Sequence, residues 1–184
     1  PAALFECSQV HGRAVFRVEE HHDTEDVRRV EADALVTRRR GVALGVRTAD
    51  CVPLLMHHAS GVVAAVHAGW RGVEQRIVEV AVEAMGVDPL ELAVAIGPHI
   101  RRASFQVGQA VAEQLAAVAH GQDVVDLDAA DPSRRRVDLN AIVHAQLHAL
   151  GVERIDDIGG DTFADETRFF SYRRTHPTGR HLSV

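Results

Sequence analysis

The sequence predicts an α/β domain, more narrowly an α+β arrangement around a mixed sheet, and three observations predict it. Aliphatic runs of strand length recur through the first half of the chain, and later stretches switch to helical spacing. No linker, repeat or low-complexity tract divides the 184 residues. That length suits a single domain, here residues 1–184, with a core of its own.

Residues 13–19 alternate and read as a strand, and residues 20–29 as a polar loop or exposed turn. Residues 32–36 and 42–46 are aliphatic strands joined by a turn through Arg38, Arg39, Arg40 and Gly41. Residues 52–56 and 62–66 are apolar runs around Ala59, Ser60 and Gly61, a hairpin of buried strands. Val73, Ile77, Val80, Ala81 and Ala84 then follow one helical face, which Gly86 closes. Residues 92–96 form a strand stopped by Gly97 and Pro98. Val107, Val111, Leu115 and Val118 give a helix over 107–119. Residues 124–127 read as a short strand and residues 131–136 as a polar link. The clearest amphipathic helix covers 137–150, with Leu139, Ile142, Val143, Leu147 and Leu150 on one side and Gly151 at its end. Residues 154–158 read as a further strand.

Composition narrows the function. A net charge of −6 and 4% aromatic residues argue against a nucleic-acid surface, electrostatic or stacking. No apolar stretch approaches the roughly 20 residues of a membrane span. Two cysteines, Cys7 and Cys51, are too few for a disulfide scaffold, and no signal peptide is visible, so a reduced, cytoplasmic setting is expected. The basic residues are all arginine, which removes lysine Schiff-base and P-loop chemistry.

Three segments carry candidate chemistry. Gln9, Val10, His11 and Gly12 precede a strand; Thr48 to Pro53 joins two strands and contains Asp50 and Cys51; His67 to Gly72 links a buried strand to a helix. A His or Cys at a strand end, followed by small residues, sits on a rigid base that a ligand can approach closely. His11, Cys51 and His67 offer two imidazoles and a thiolate, and three protein ligands with an open fourth position is the form of a catalytic zinc site. The same residues admit two other readings: Cys51 as a thiolate nucleophile with His67 as its base, or a buried thiol and a hydrogen-bonded core histidine. Arg71, with Gly69 and the free N–H groups opening the next helix, suits a phosphate or carboxylate. Asp50 could orient a ligand histidine, act as an acid, or cap a turn. Trp70 could stack on a purine or anchor packing, and His99 could approach the site. His144 and His148 stand four apart on a helix but lack the glutamate of a zincin motif, and read as a solvated or weakly buried face. Arg134, Arg135 and Arg136, like Arg38 to Arg40, read as solvated turns.

The run Thr48-Ala49-Asp50-Cys51-Val52-Pro53, followed by Val66-His67-Ala68-Gly69-Trp70-Arg71-Gly72, resembles the signature of the YfiH-type family. These are also called laccase-domain or polyphenol oxidase proteins and are described as purine nucleoside phosphorylases. Further matching blocks follow in the same order across the whole chain: Gln9 to Gly12, Asp33 to Thr37, Ile96 to Pro98, Val107 and Gly108, Phe169 to Arg174, and Gly179 with Arg180. The resemblance implies one zinc ion on His11, Cys51 and His67, with copper as the alternative. It implies phosphorolysis of adenosine, inosine, guanosine and methylthioadenosine, and deamination of adenosine. Beside the resemblance, Cys51, His67 and Asp50 are taken as candidate catalytic residues and Gln9, Gly69 and Arg71 as candidate contacts to a nucleoside and phosphate. Its fold is a layered α/β domain shared with cysteine hydrolases that include a toxin deamidase, which keeps a metal-free Cys–His hydrolase in view. Copper-dependent phenol oxidation suits the residues less well. Only two of the 12 histidines fall in blocks that look like a site, and no methionine stands as an axial ligand. The chain departs from the family pattern twice. It opens almost at Gln9 to Gly12, where the family continues upstream with an arginine-containing, Gly-Gly-rich stretch. It also has Asp161 and Thr162 where the family has Cys-Thr, so no late thiol is needed here.

Overall fold

The computed structural model describes residues 3–184. In chain order the strands are β1 (Ala3–Phe5), β2 (Val15–Val18), β3 (Ala34–Thr37), β4 (Val42–Leu44), β5 (Val46–Thr48), β6 (Val52–His57), β7 (Val63–Ala68), β8 (Ala93–Ile96), β9 (Gln106–Gly108), β10 (Val125–Leu127), β11 (Arg134–Val137), β12 (Arg154–Asp157) and β13 (His181–Ser183). The helices are α1 (Thr24–Arg28), α2 (Trp70–Glu74), α3 (Ile77–Met85), α4 (Gln109–Ala116) and α5 (Leu139–Ala149). Six strands make the central mixed sheet in the order β12-β8-β6-β7-β3-β2. Its outer pairs, β12 with β8 and β2 with β3, are parallel, and the inner pairs are antiparallel.

Both faces of the inner strands are buried, so they read as continuous apolar runs. Ala34, Val36, Val52, Leu54, Met56, Ala64 and Val66 pack on the helical side against Val73, Ile77, Val78, Ala81 and Ile142. Leu35 and Ala65, one residue out of step, join Phe5, Val18, Val27, Leu44 and Val46 on the other side. The predicted hairpin is present as β6 and β7, with Val52 opposite Ala68 and His57 opposite Val63. The last predicted helix is α5, whose N-cap Asp138 accepts from the Ala141 N–H.

Several elements differ from expectation, among them the strand expected over 42–46, which is two, β4 and β5, in separate sheets. The polar stretch 20–29 contains α1, because Asp23 accepts from the Glu25 and Asp26 N–H groups and Val27 is buried beneath it. The helix expected over Val73 to Ala84 is two helices, α2 and α3, broken at Arg76, whose φ is 63°. Val73 and Ile77 stay in the same core across the break, so their spacing conceals it. The stretch from Val107 opens with β9 and becomes helical only at Gln109. The arginines at 134–136 are a strand, not a turn: β11 is the middle strand between β9 and β10. Its backbone is satisfied on both edges, and Arg136 is paired with the buried Asp128 at 2.5 Å.

Candidate metal centre and cleft

Strand register assembles the site. Because Val52 lies opposite Ala68, Cys51 comes to the mouth of the same strand pair that carries His67. Because Ala34 lies opposite Val66, Asp33 flanks His67, whose backbone N–H donates to the Asp33 carbonyl at 2.7 Å. Asp33 is buried, and its carboxylate accepts from His67 Nδ1 at 2.8 Å and from the backbone N–H groups of His11 at 2.9 Å and Gly12 at 2.6 Å. One carboxylate therefore fixes the ring of one histidine and the backbone of the other. His11 takes a φ of 60°, an unusual conformation for a side-chain-bearing residue that these bonds hold in place.

His11, Cys51 and His67 place one ligand atom each within 4.8 Å of one another, and the two imidazoles meet edge to face with centroids 4.8 Å apart. With Nδ1 engaged by Asp33, His67 turns Nε2 to this group, the arrangement in which a carboxylate sets the tautomer of a ligand histidine. Gly69 closes the floor. A methyl group there would lie 2.9 Å from the His11 ring and 3.2 Å from the Cys51 sulfur. The donor set fits a borderline-soft divalent ion, and these three residues form a possible metal site.

Electrostatics agree with that use. Burial works against a charged Cys51, but the neighbouring His11 and His67 outweigh it and bring its thiol down to about 7. His67 moves up to about 9: burial opposes its charge, and Asp33 and Cys51 more than compensate. Cys7 behaves oppositely. Burial, then the Asp33 charge, pushes its thiol up to about 12. Both cysteines are free thiols.

A cleft of about 770 Å³ opens over these three residues and is lined also by Gln9, Asp50, Trp70, Arg71, Tyr172 and Arg173. Gln9 sits there by a reciprocal pair with the Arg47 backbone, at 2.8 Å in each direction. Arg71 lies over the Trp70 ring, 4.4 Å from its centroid. The helix that begins at Trp70 has only five residues, so its dipole adds little to the arginine. Asp50 does not touch the histidines. Its carboxylate accepts from Thr162 Oγ1 at 2.7 Å, Ser171 Oγ at 3.0 Å and the Arg173 N–H at 2.6 Å. Asp33 occupies the orienting position that the sequence suggested for Asp50. His99 turns away: it is fully buried, with Nδ1 on the Gly97 carbonyl at 2.8 Å, and is not part of the cleft wall. His144 and His148 stand together on α5, half-buried and exposed, apart from the ligand group. A second depression, of about 430 Å³, lies over Leu55, Val63 and Ala95 and is mostly aliphatic.

Sequence reasoning missed Asp33, although it lies in one of the recognised blocks, because its partners come from 22 and 34 residues away. It also missed the arginines and Tyr172 of the C-terminal segment as cleft residues.

The family described as multi-copper polyphenol oxidoreductase laccase matches residues 1–184. A purine nucleoside phosphorylase of Pseudomonas aeruginosa is 37% identical over 177 residues, covering 96% of this chain and 71% of that protein. The purine nucleoside phosphorylase YfiH of Escherichia coli is 34% identical over 178 residues, covering 95% of this chain and 70% of that protein. Among solved structures, YlmD from Geobacillus stearothermophilus superposes with a TM-score of 0.86 at 30% identity, over 97% of this chain and 71% of that one. YfiH of Bacillus licheniformis gives 0.88 at 23% identity, over 97% and 72%, a likeness of fold.

Proposed function

This chain belongs to the family described as multi-copper polyphenol oxidoreductase laccase, and from that premise we propose that it is a zinc-dependent purine nucleoside phosphorylase. Its substrates would be adenosine, inosine, guanosine and methylthioadenosine, with deamination of adenosine as a second activity. The observation that carries the reading is the convergence of His11, Cys51 and His67 on the floor of an arginine-lined cleft. Relatives named purine nucleoside phosphorylase support it. A volume of about 770 Å³ lies in the range of small-molecule sites.

In phosphorolysis a phosphate oxygen bonds to C1′ of the ribose as the bond from C1′ to the purine nitrogen breaks. The purine leaves with the electron pair and takes up a proton. Arg71, lying over the Trp70 ring, can hold the phosphate through a planar pair of donors. Asp33 keeps His67 and His11 aligned through the cycle. Zinc on His11, Cys51 and His67 would supply Lewis acidity at an open coordination position. In deamination, water adds at C6 of the purine and ammonia leaves. Oxidation of phenols, the chemistry in the family's description, is less well served. Multicopper catalysis draws on several ligand clusters, and one such group occurs among the described residues.

A second reading has a specific observation behind it. Cys51 brought down to about 7, His67 raised to about 9 and Asp33 on His67 Nδ1 also form a thiolate nucleophile, an imidazolium beside it and the carboxylate that orients the ring. One experiment separates the two. The purified chain is incubated with adenosine, with and without phosphate, before and after chelation and zinc repletion. Phosphate-dependent release of adenine, lost on chelation and restored by zinc, is the result expected. Absence of turnover in the zinc-replete chain overturns the proposal, and an alkylation-sensitive hydrolysis that survives chelation supports the second reading.

A further inference from the structure

The chain is acidic, with a net charge of −6, yet the cleft wall carries Arg47, Arg71, Arg173 and Arg180 against a single acid, Asp50. Arg47 is paired with Glu6 at 2.5 Å. Among the described residues Arg71, Arg173 and Arg180 have no carboxylate partner, whereas Arg101, Arg102, Arg136 and Arg168 do. These three guanidinium groups, without a carboxylate, each lie over an aromatic ring: Arg71 on Trp70, Arg173 on Phe105 at 5.5 Å and Arg180 on Tyr172 at 5.7 Å. Nη1 of Arg173 donates to the Gln106 carbonyl at 2.6 Å, and Nη1 of Arg180 to the Thr178 and Gly179 carbonyls at 3.1 and 3.0 Å; with the ring contact these bonds fix the guanidinium and leave its Nε and Nη2 donors for a tetrahedral oxyanion.

Arg173 and Arg180 reach the cleft only because the C-terminal segment is fastened there. β13 pairs with β5, His181 opposite Thr48, two residues before Asp50. Asp50, with a φ of 86°, then receives Thr162, Ser171 and the Arg173 backbone on its carboxylate. The residue next to Cys51 thus ties the arginine-bearing segment to the strand junction that presents the thiol. Both oxygens of the Asp50 carboxylate are engaged by these donors.

We propose that Arg173 and Arg180, held over the cleft by Asp50 as a positioning residue, complete with Arg71 a binding site for inorganic phosphate. This deepens the phosphorylase reading and rests on it for the phosphate's role as co-substrate. The segment bearing the two arginines is far in sequence from the metal ligands, so phosphate binding and purine binding are separable by mutation.

The test uses the zinc-replete full chain and its variants Arg173→Ala/Arg180→Ala, Arg173→Lys/Arg180→Lys and Asp50→Asn. Trp70, the sole tryptophan, lies in the cleft and reports binding by its fluorescence. Inorganic phosphate is titrated at constant ionic strength, and KM values for phosphate and adenosine are measured separately. The double alanine variant is expected to weaken phosphate binding and raise the phosphate KM by about tenfold or more. The adenosine KM and bound zinc should stay within about twofold of the parent, which also shows that the variant is folded. The lysine variant should recover part of the loss, and Asp50→Asn should raise the phosphate KM more than the adenosine KM. Unchanged phosphate affinity in the double alanine variant, or no phosphate binding by the parent, overturns the proposal. A parent that binds phosphate through these arginines but does not cleave nucleosides overturns the phosphorylase reading alone.

Discussion

At the scale of single residues the site is governed by one buried carboxylate. Asp33 accepts from the His67 ring and from the backbone that carries His11, so it sets the tautomer of one candidate ligand and the position of another together. The same pair of effects predicts a pH dependence for metal loading. A bound divalent ion requires the thiolate of Cys51 and the neutral ring of His67. Below about 7 both protons must be expelled, between about 7 and 9 only that of His67, and above about 9 neither. Zinc affinity should therefore rise with pH, steeply below 7, less steeply to 9, and level off beyond. Competition with a chromophoric chelator across that range measures it. A flat profile between pH 6 and 9 would show that the two groups are not coupled as described.

At the scale of elements, register does the assembly. The β6–β7 hairpin, legible from its two apolar runs, sets Cys51 beside the strand that carries His67. The β3–β7 pairing then sets Asp33 beside His67, and that pairing was not legible, because no local pattern tells which strands become neighbours. The turn after β7 must be bare at Gly69, where a methyl would press on His11 and on the Cys51 sulfur. Gly69→Ala is expected to lower zinc affinity by at least about tenfold with only a modest change in unfolding free energy, of about 1 kcal/mol. Isothermal titration and urea unfolding on the same preparation check both. Full zinc affinity in that variant would remove the close-packing argument. The sequence was misread where polarity masks regular structure. The arginines of β11 form a strand because partners on both edges satisfy their backbone, and the break at Arg76 is invisible because the apolar face runs through it.

At the scale of the whole molecule, the three candidate ligands lie in segments separated by 40 and 16 residues, joined only by the folded sheet. The motifs could point to the three side chains; their convergence needed the topology. No helix among the described residues is long and apolar enough to cross a membrane. Because the ligand group exists only in the folded chain, a bound ion favours folding. At a free concentration 100 times its dissociation constant the gain is about 2.7 kcal/mol. For a chain of this size that corresponds to a fall of roughly 5–10 °C in Tm on chelation, and differential scanning calorimetry with and without chelator measures it. An unchanged Tm would mean that the ion, if it binds, does not hold the three segments together.

X-ray absorption at the zinc edge, on chain purified without added metal and quantified for bound ions, is the most direct test. One zinc per chain, with one sulfur at about 2.3 Å and two nitrogens at about 2.0–2.1 Å from protein, and loss of the sulfur shell in Cys51→Ala, is the result predicted. A metal without sulfur in its shell, or a spectrum unchanged by Cys51→Ala, would contradict it.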